Sequence, residues 1–184
     1  MPAPKPFEQL ALPHLRAAFS LAFWLMRDRA DAEDVVQDAY IRALRGFDGW
    51  RGGDIRPWLL AIVRNVAWRA LSVRRRANNV IPIEAAYGAS GEDMTMDFAS
   101  DEPSPEARLI EAGEKARISR ALAALTPLYR EVLVLREIED MSYAEIAVVL
   151  GVPQGTVMSR LSRARAELRS RFRDQTRESD HHAM

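Results

Sequence analysis

Cysteine is absent from the 184-residue chain. That excludes a disulfide framework, a thiolate metal site and a cysteine nucleophile. Histidine is scarce, with three in all. His181 and His182 sit at the chain end, where segments fray, and His14 stands alone near the N-terminus, where a structural role is expected. No metal-ligand spacing, Gly-rich phosphate loop or nucleophile–base pair occurs, so neither metal, cofactor nor an enzymatic activity is expected. Long apolar runs are missing too: nothing approaches the roughly 18–20 residues that span a bilayer. The opening MPAPKPFEQL has one Lys and no apolar stretch, so it is no secretory signal. A cytoplasmic chain without membrane insertion is the expectation. No stretch alternates with period two for long enough to build a sheet, and no internal repeat is evident.

Net charge is also lacking, with 26 basic and 26 acidic residues. Taken alone, the zero argues against a nucleic-acid partner, but the distribution argues otherwise. Residues 1–80 carry 13 Lys/Arg against 8 Asp/Glu, residues 81–112 carry 1 against 8, and residues 113–184 carry 12 against 10. Two basic blocks flank an acidic one, and such asymmetry is more informative than the total. The acidic block also holds Pro82, Gly88, Gly91, Pro103 and Pro105. Gly and Pro break elements, and clustered acids repel. Residues 81–105 therefore read as an acidic flexible linker between domains at 1–80 and 106–175, with a disordered tail at 176–184. Composition favours a plain tether.

What is present reads as helix. Leu15, Phe19, Ala22 and Met26 form one apolar stripe at i, i+4, i+7 and i+11. Asp31 is a candidate cap for a second helix with Val35/Val36, Ala39/Tyr40 and Ala43/Leu44 on one face and Glu33, Asp34, Gln37, Asp38 and Arg42 on the other. Asp54 and Pro57 open a third, which buries Trp58, Leu59, Ile62 and Val66 and continues into Arg69 and Arg74–Arg76. Ile118, Ala121/Leu122 and Leu125 make a further stripe, and Thr126–Pro127 start the helix that carries Leu128, Val132 and Leu135. The fold class is all-α, with two small helical domains.

Near the C-terminus the pattern sharpens. Ser142-Tyr143-Ala144-Glu145 is a capping box, and the short helix it opens ends at Gly151, suited to a left-handed cap. A second helix follows, with Val157, Leu161, Ala164, Leu168 and Phe172 on one side. A capped helix, a Gly turn and a longer helix make a helix-turn-helix. At 100° per residue, Thr156, Ser159, Ser162 and Arg163 point away from the apolar side, with Met158 and Arg160 on the flanks. Small hydroxyls admit the helix to a major groove, and Arg can bond guanine edges or phosphates. A basic helix could equally be the solvated side of a small bundle. The capping box, the turn and the hydroxyl/Arg face together favour DNA.

Ser142–Ala147 followed by Gly155–Arg165 resembles the second DNA-binding domain of bacterial sigma factors. Asp31–Asp38 and Trp58–Asn65 resemble their first domain. Two motif groups in this order, with one acidic linker, are similar to the extracytoplasmic-function (ECF) group of the sigma-70 family. The resemblance implies a transcription initiation factor that binds core RNA polymerase at the clamp of the largest subunit and at the flap. It also implies recognition of −35 and −10 promoter elements, promoter melting, a role in stress response and control by an anti-sigma factor. On these residues it places −35 contacts at Met158, Ser159, Ser162 and Arg163, with Arg136 at a phosphate. Thr156 and Arg160 lie beside them. Met158 departs from the pattern, where a basic residue is usual.

For the −10 element, the resemblance implies a base pocket near Asn65, flanked by Arg64, Trp68, Arg69 and Arg75. Melted strands need stacking surfaces and a basic track, and Trp50, Trp58 and Trp68 lie close by. Trp58, among Leu and Ile, reads as core. The acidic helix would repel phosphate but suits a basic protein surface, and the resemblance implies that Asp34, Gln37, Asp38 and Arg42 contact the polymerase. The resemblance gives the linker a second reading, in the polymerase RNA path, with Met94, Met96 and Phe98 as apolar anchors. The competing class is a helix-turn-helix regulator that works without polymerase. In that reading the acidic helix and the Trp-rich basic segment have no task.

Overall fold

The computed structural model describes residues 6–78 and 116–182, with side chains, apart from Asn78, as far as Arg173. The expected linker at 81–105, including Met94, Met96 and Phe98, lies outside the described residues. Among those described there is no strand. A first group of helices comprises α1 (Phe7–Ala11), α2 (Leu15–Met26), α3 (Arg29–Gly46) and α4 (Ile55–Asn78), with 3₁₀ turns at Leu12–His14 and Phe47–Gly49. A second comprises α5 (residues 116–124), α6 (Pro127–Leu133), a π-helical turn at Val134–Ile138, α7 (Tyr143–Leu150) and α8 (Gln154–His182).

Local chemistry sets the boundaries. Asp28, not Asp31, caps α3: its carboxylate accepts the Asp31 N–H at 2.9 Å. Asp31 sits in the first turn and pairs instead with Arg74 of α4. Asp54 accepts the Arg56 N–H at 2.9 Å at the start of α4. The capping box of α7 is complete, with Glu145 N–H donating to Ser142 Oγ at 3.2 Å and Ser142 N–H to Glu145 Oε2 at 2.7 Å. Those bonds hold the Glu145 carboxyl below its usual range. Gly151 ends α7 at φ 64°, a conformation that favours glycine. The backbone of α8 runs on to His182, where a disordered tail from 176 was expected. Neither Gly nor Pro occurs between Thr156 and His182 to stop it.

The apolar stripes close each group, and then the two groups close on one another. In the second group, Val157, Leu161 and Ala164 are fully buried beneath Val132, Leu135 and Ile146 in a common core. Helix α2 departs from the single stripe expected of it. Leu15 is exposed, whereas Ala17, Ala18 and every residue from Ser20 to Met26 are buried. A helix hydrophobic on all sides is enclosed on all sides. Here α3 and α4 cover one part of its surface, and α6 with the π turn covers another. One continuous core therefore contains Leu21, Leu25, Leu60 and Val63 from the first group together with Leu133, Val149 and Leu161 from the second. Domains of this size bury limited surface alone, and each of these serves as the other's partner. A smaller cluster of Phe7, Ala11, Ala43, Ile55 and Leu59 seats α1 against α3 and α4.

Candidate DNA and polymerase interfaces

The recognition face of α8 stands in solvent. Val157, Leu161 and Ala164 anchor the helix from below, which turns Met158, Ser159, Ser162 and Arg163 outward as exposed residues. Ser159 Oγ donates to the Thr156 carbonyl at 3.0 Å. Arg160 is half-buried, as a flank position would be, whereas Thr156, expected to point outward, is also half-buried and Met158, expected on a flank, is exposed. Arg136 lies in the π turn. Its guanidinium donates to the Met141 carbonyl at 2.8 Å and sits 5.5 Å from the Tyr143 ring centroid. The same turn is tied to α8 by Arg165, whose Nε donates to Glu137 Oε1 at 3.0 Å. That bond raises the Arg165 pKa. Arg165 thus ties the segment that carries Arg136 to the helix that carries the hydroxyl/Arg face.

The outer side of α3 has a different chemistry. Asp34 and Gln37 are exposed, and Asp38 pairs with Arg42 at 2.9 Å, each about half exposed. The hydrogen bond that Arg42 donates to Asp38 raises the Arg42 pKa. Leu44, expected in the core beside Ala43, is instead 53% exposed, and Ile41 is 44% exposed. Positions 34, 37, 38, 41 and 44 recur at helical spacing along one face. The result is a mixed acidic and apolar strip, suited to a protein partner and unsuited to phosphate. The sequence reading placed Leu44 with Ala43 by adjacency and passed over Ile41, although both fall at helical spacing from Asp34.

The candidate residues on α4 divide. Asn65, Arg69 and Arg75 are exposed. Arg64 and Trp68, one turn apart on the same face, are engaged from within the chain and do not stand free for DNA. Glu131 of α6 is fully buried and accepts three hydrogen bonds: from Arg64 Nε at 2.8 Å, from Arg64 Nη2 at 3.0 Å and from Trp68 Nε1 at 2.6 Å. The Arg64 guanidinium also lies 5.6 Å from the Trp68 ring centroid. A forked guanidinium–carboxylate pair of this type is directional and strong. Trp58 packs, half-buried, against the Phe7 cluster as the sequence suggested, and Trp50 stacks on Phe47.

Two neighbours reinforce this seam. Arg130, only 3% exposed, donates to the carbonyls of Leu122, Ala123 and Leu125 at the end of α5, and to Trp24 near the end of α2 at 2.8 Å. Helix C-termini leave carbonyls unpaired and carry partial negative charge, so one cation serves two of them. Burial first, then the charge of Arg27, lowers its pKa to about 10, which leaves it charged at neutral pH. Arg56 Nη2 donates to the Glu139 carbonyl at 2.6 Å and to Glu139 Oε2 at 3.1 Å. His14 lies nearby, on a cleft of about 520 Å³ shared with Arg56, Glu139 and Asp140. Burial, opposed by Asp54 and aided by Arg56, holds its pKa below the ordinary value. The residues that the sequence did not single out are Arg130, Glu131 and Trp24. The available signal was the run from Ala17 to Met26, apolar on every face.

Residues 10–77 match the family Sigma-70 region 2, and residues 115–168 match Sigma-70, region 4. The chain is 36% identical over 163 residues to the ECF RNA polymerase sigma factor SigE of Mycolicibacterium smegmatis, covering 89% of this chain and 60% of that protein. It is 32% identical over 162 residues to the RNA polymerase sigma-H factor of Pseudomonas aeruginosa, covering 86% and 82%. The chain belongs to the ECF group of sigma-70 factors. Among solved structures, its fold is similar to that of the sigma factor RpoE in complex with the anti-sigma factor NepR from Bartonella quintana. That likeness has a TM-score of 0.68 and 26% identity, over 91% of this chain and 96% of the other. It is also similar to CnrH in complex with the cytosolic domain of CnrY, at a TM-score of 0.60 and 32% identity over 89% and 85%. Sigma factors are transcription initiation factors, and no described helix here is long and apolar enough to cross a membrane.

Proposed function

We propose that this sigma factor directs core RNA polymerase to a discrete class of promoters, with its two helical groups reading different elements. Residues 1–80 would bind core polymerase and the −10 element, and residues 106–175 the −35 element. The observation that carries this reading is the coexistence in one chain of an exposed hydroxyl/Arg recognition face on α8 and an acidic–apolar strip on α3. A DNA-binding regulator acting alone needs the first and has no use for the second.

On α8, Ser159, Ser162 and Arg163 contact base edges, Met158 packs against them, and Thr156, Arg160 and Arg136 hold backbone phosphates. Phosphate contacts fix register, and base contacts specify sequence. On α4, Asn65 takes a flipped base of the melted strand, with Arg64, Trp68, Arg69 and Arg75 forming the stacking and phosphate track. Asp34, Gln37, Asp38 and Arg42 dock on the clamp of the largest subunit, and the −35-reading group meets the flap. The similarity to a sigma factor solved in complex with an anti-sigma factor supports control by an anti-sigma factor in the cytoplasm. The test is reconstitution: core polymerase with this chain should initiate at defined sites in a genomic promoter library. Binding to core no stronger than that of a scrambled control would overturn the reading.

A further inference from the structure

A lone apolar side chain on a surface helix needs no function. Met158 is set apart by where it stands. It is 56% exposed on the reading side of α8, while the core beneath takes Val157, Leu161 and Ala164 and leaves it out. At about 100° per residue, Ser159 lies opposite those anchors and divides the face. Arg160 and Arg163 fall on one side of it, Met158 and Ser162 on the other. The next residue along the uncharged strip is Arg165, and its guanidinium is already engaged by Glu137. Ser159 donates its hydroxyl proton to the Thr156 carbonyl at 3.0 Å, which leaves its oxygen as an acceptor.

That half of the face has a definite chemistry. Guanine offers acceptors to the major groove at N7 and O6 and needs donors, which Met158 lacks and Ser159 has committed. Ser162 can serve either way. An acceptor suits the exocyclic amine of adenine or cytosine, and an apolar side chain suits the methyl group at C5 of a pyrimidine. Methionine is unbranched, flexible and polarizable, so it can settle against such a group in the groove. Amine and methyl occur together in two base pairs, thymine with adenine and 5-methylcytosine with guanine. We propose that Met158 reads the C5 methyl group of a pyrimidine and so fixes one position of the −35 element. A cation there would hold a phosphate and add affinity without sequence; Met158 adds sequence without charge. This rests on the assignment of α8 to the −35 element given above.

The test uses core polymerase with the full chain and a promoter duplex that this holoenzyme selects from a genomic library. Each thymine of the −35 element, on either strand, is replaced singly by deoxyuridine, which keeps the pairing and removes only the methyl group. Each cytosine is replaced singly by 5-methylcytosine. With the wild type, deoxyuridine at one position should weaken binding about fourfold, the worth of one buried methyl group. Met158→Ala should be indifferent at that position and respond as the wild type does at the others, and Met158→Leu should keep the sensitivity. If the methyl group belongs to 5-methylcytosine, no deoxyuridine will matter, and one methylated cytosine will strengthen binding about fourfold, again with the wild type and Met158→Leu alone. Wild-type binding that ignores every such replacement overturns the proposal. So does an effect that persists in Met158→Ala, which would come from the shape of the DNA. Arg163→Ala, run in parallel, separates the two ideas. Indifference to methyl groups while Arg163→Ala alters −35 binding refutes the role of Met158 alone. A holoenzyme that selects no promoter, or one whose −35 binding neither substitution touches, refutes the assignment of α8 and this proposal with it.

Discussion

Two helices of this chain carry basic residues suited to DNA, and they sit in opposite states. On α8 the apolar anchors lie on one side and the candidate contacts on the other, so Ser159, Ser162 and Arg163 are exposed. On α4 no such separation exists. Arg64 and Trp68 reach into the chain, and Glu131 of α6 takes up their donors. The difference comes from what each helix must bury. Helix α8 needs only to cover the small core of its own group. Helix α4 lies between α3 and α2 on one side and α7 on another. Only part of its circumference remains for solvent, and Asn65, Arg69 and Arg75 are among the residues left there. Polar groups inside such a seam must find partners, and they find each other.

The largest expected effect breaks the buried pair. Glu131→Ala leaves Arg64 enclosed without a counter-charge, which should destabilise the closed form by about 3–5 kcal/mol. In calorimetry, one transition should become two, as the groups lose their shared core. Replacing both partners, Arg64→Leu with Glu131→Leu, should restore a single transition, because apolar substitutes for a buried pair are often neutral or better. A double variant as unstable as Glu131→Ala would show that the stability comes from the surrounding packing and not from pairing.

On the exposed helix the prediction reverses. Arg163→Ala removes no buried contact, so stability should hold, while discrimination among −35 variants should fall by about 1–3 kcal/mol if Arg163 reaches a base edge. Binding isotherms across a salt series decide this, since loss of a phosphate contact would weaken all sequences alike and flatten the salt slope. A lowered melting temperature with unchanged preference would mean that Arg163 supports the fold.

The capping box gives a smaller effect. Ser142→Ala should cost about 1 kcal/mol. The Glu145 carboxyl titrates lower in the folded chain than its ordinary 4.5. Its contribution is therefore complete above that value and is lost as the pH falls through the folded value. Glu145→Gln should flatten this part of the acid dependence in pH-dependent melting. Identical acid profiles for wild type and Glu145→Gln would place the coupling elsewhere.

The strip on α3 should be nearly silent in stability. Asp34→Lys with Asp38→Lys changes exposed positions, at no more than about 0.5 kcal/mol each, yet should weaken core polymerase binding. Loss of helicity without loss of binding would assign these acids to the fold.

How much was legible in the sequence follows the same division. Ser142, Glu145, Gly151 and the Val157 stripe were readable because local rules govern caps and amphipathic helices, and the outward face of α8 followed by rotation. The buried state of Arg64 and Trp68 was not readable. It depends on Glu131, 67 residues away from Arg64 in sequence, and no local pattern records that distance. Asp31 was taken for a cap because it precedes the apolar pairs, yet Asp28 adds three residues to the start of α3. Leu44 showed how an i, i+1 pairing misleads on a helix, where neighbours lie 100° apart. Helix α2 held the missed clue, since ten successive residues without a polar face require cover on every side.

The most direct test of the difference between the two helices is a distance between them, measured on core polymerase. The absence of native cysteine allows spin labels at Asp48→Cys and Ser170→Cys, both exposed. Pulsed electron resonance should give one short, narrow distance in the free chain, and a much longer one in the complex with core polymerase and promoter DNA. A complex that initiates transcription while keeping the short distance would show that the closed arrangement is itself the active one.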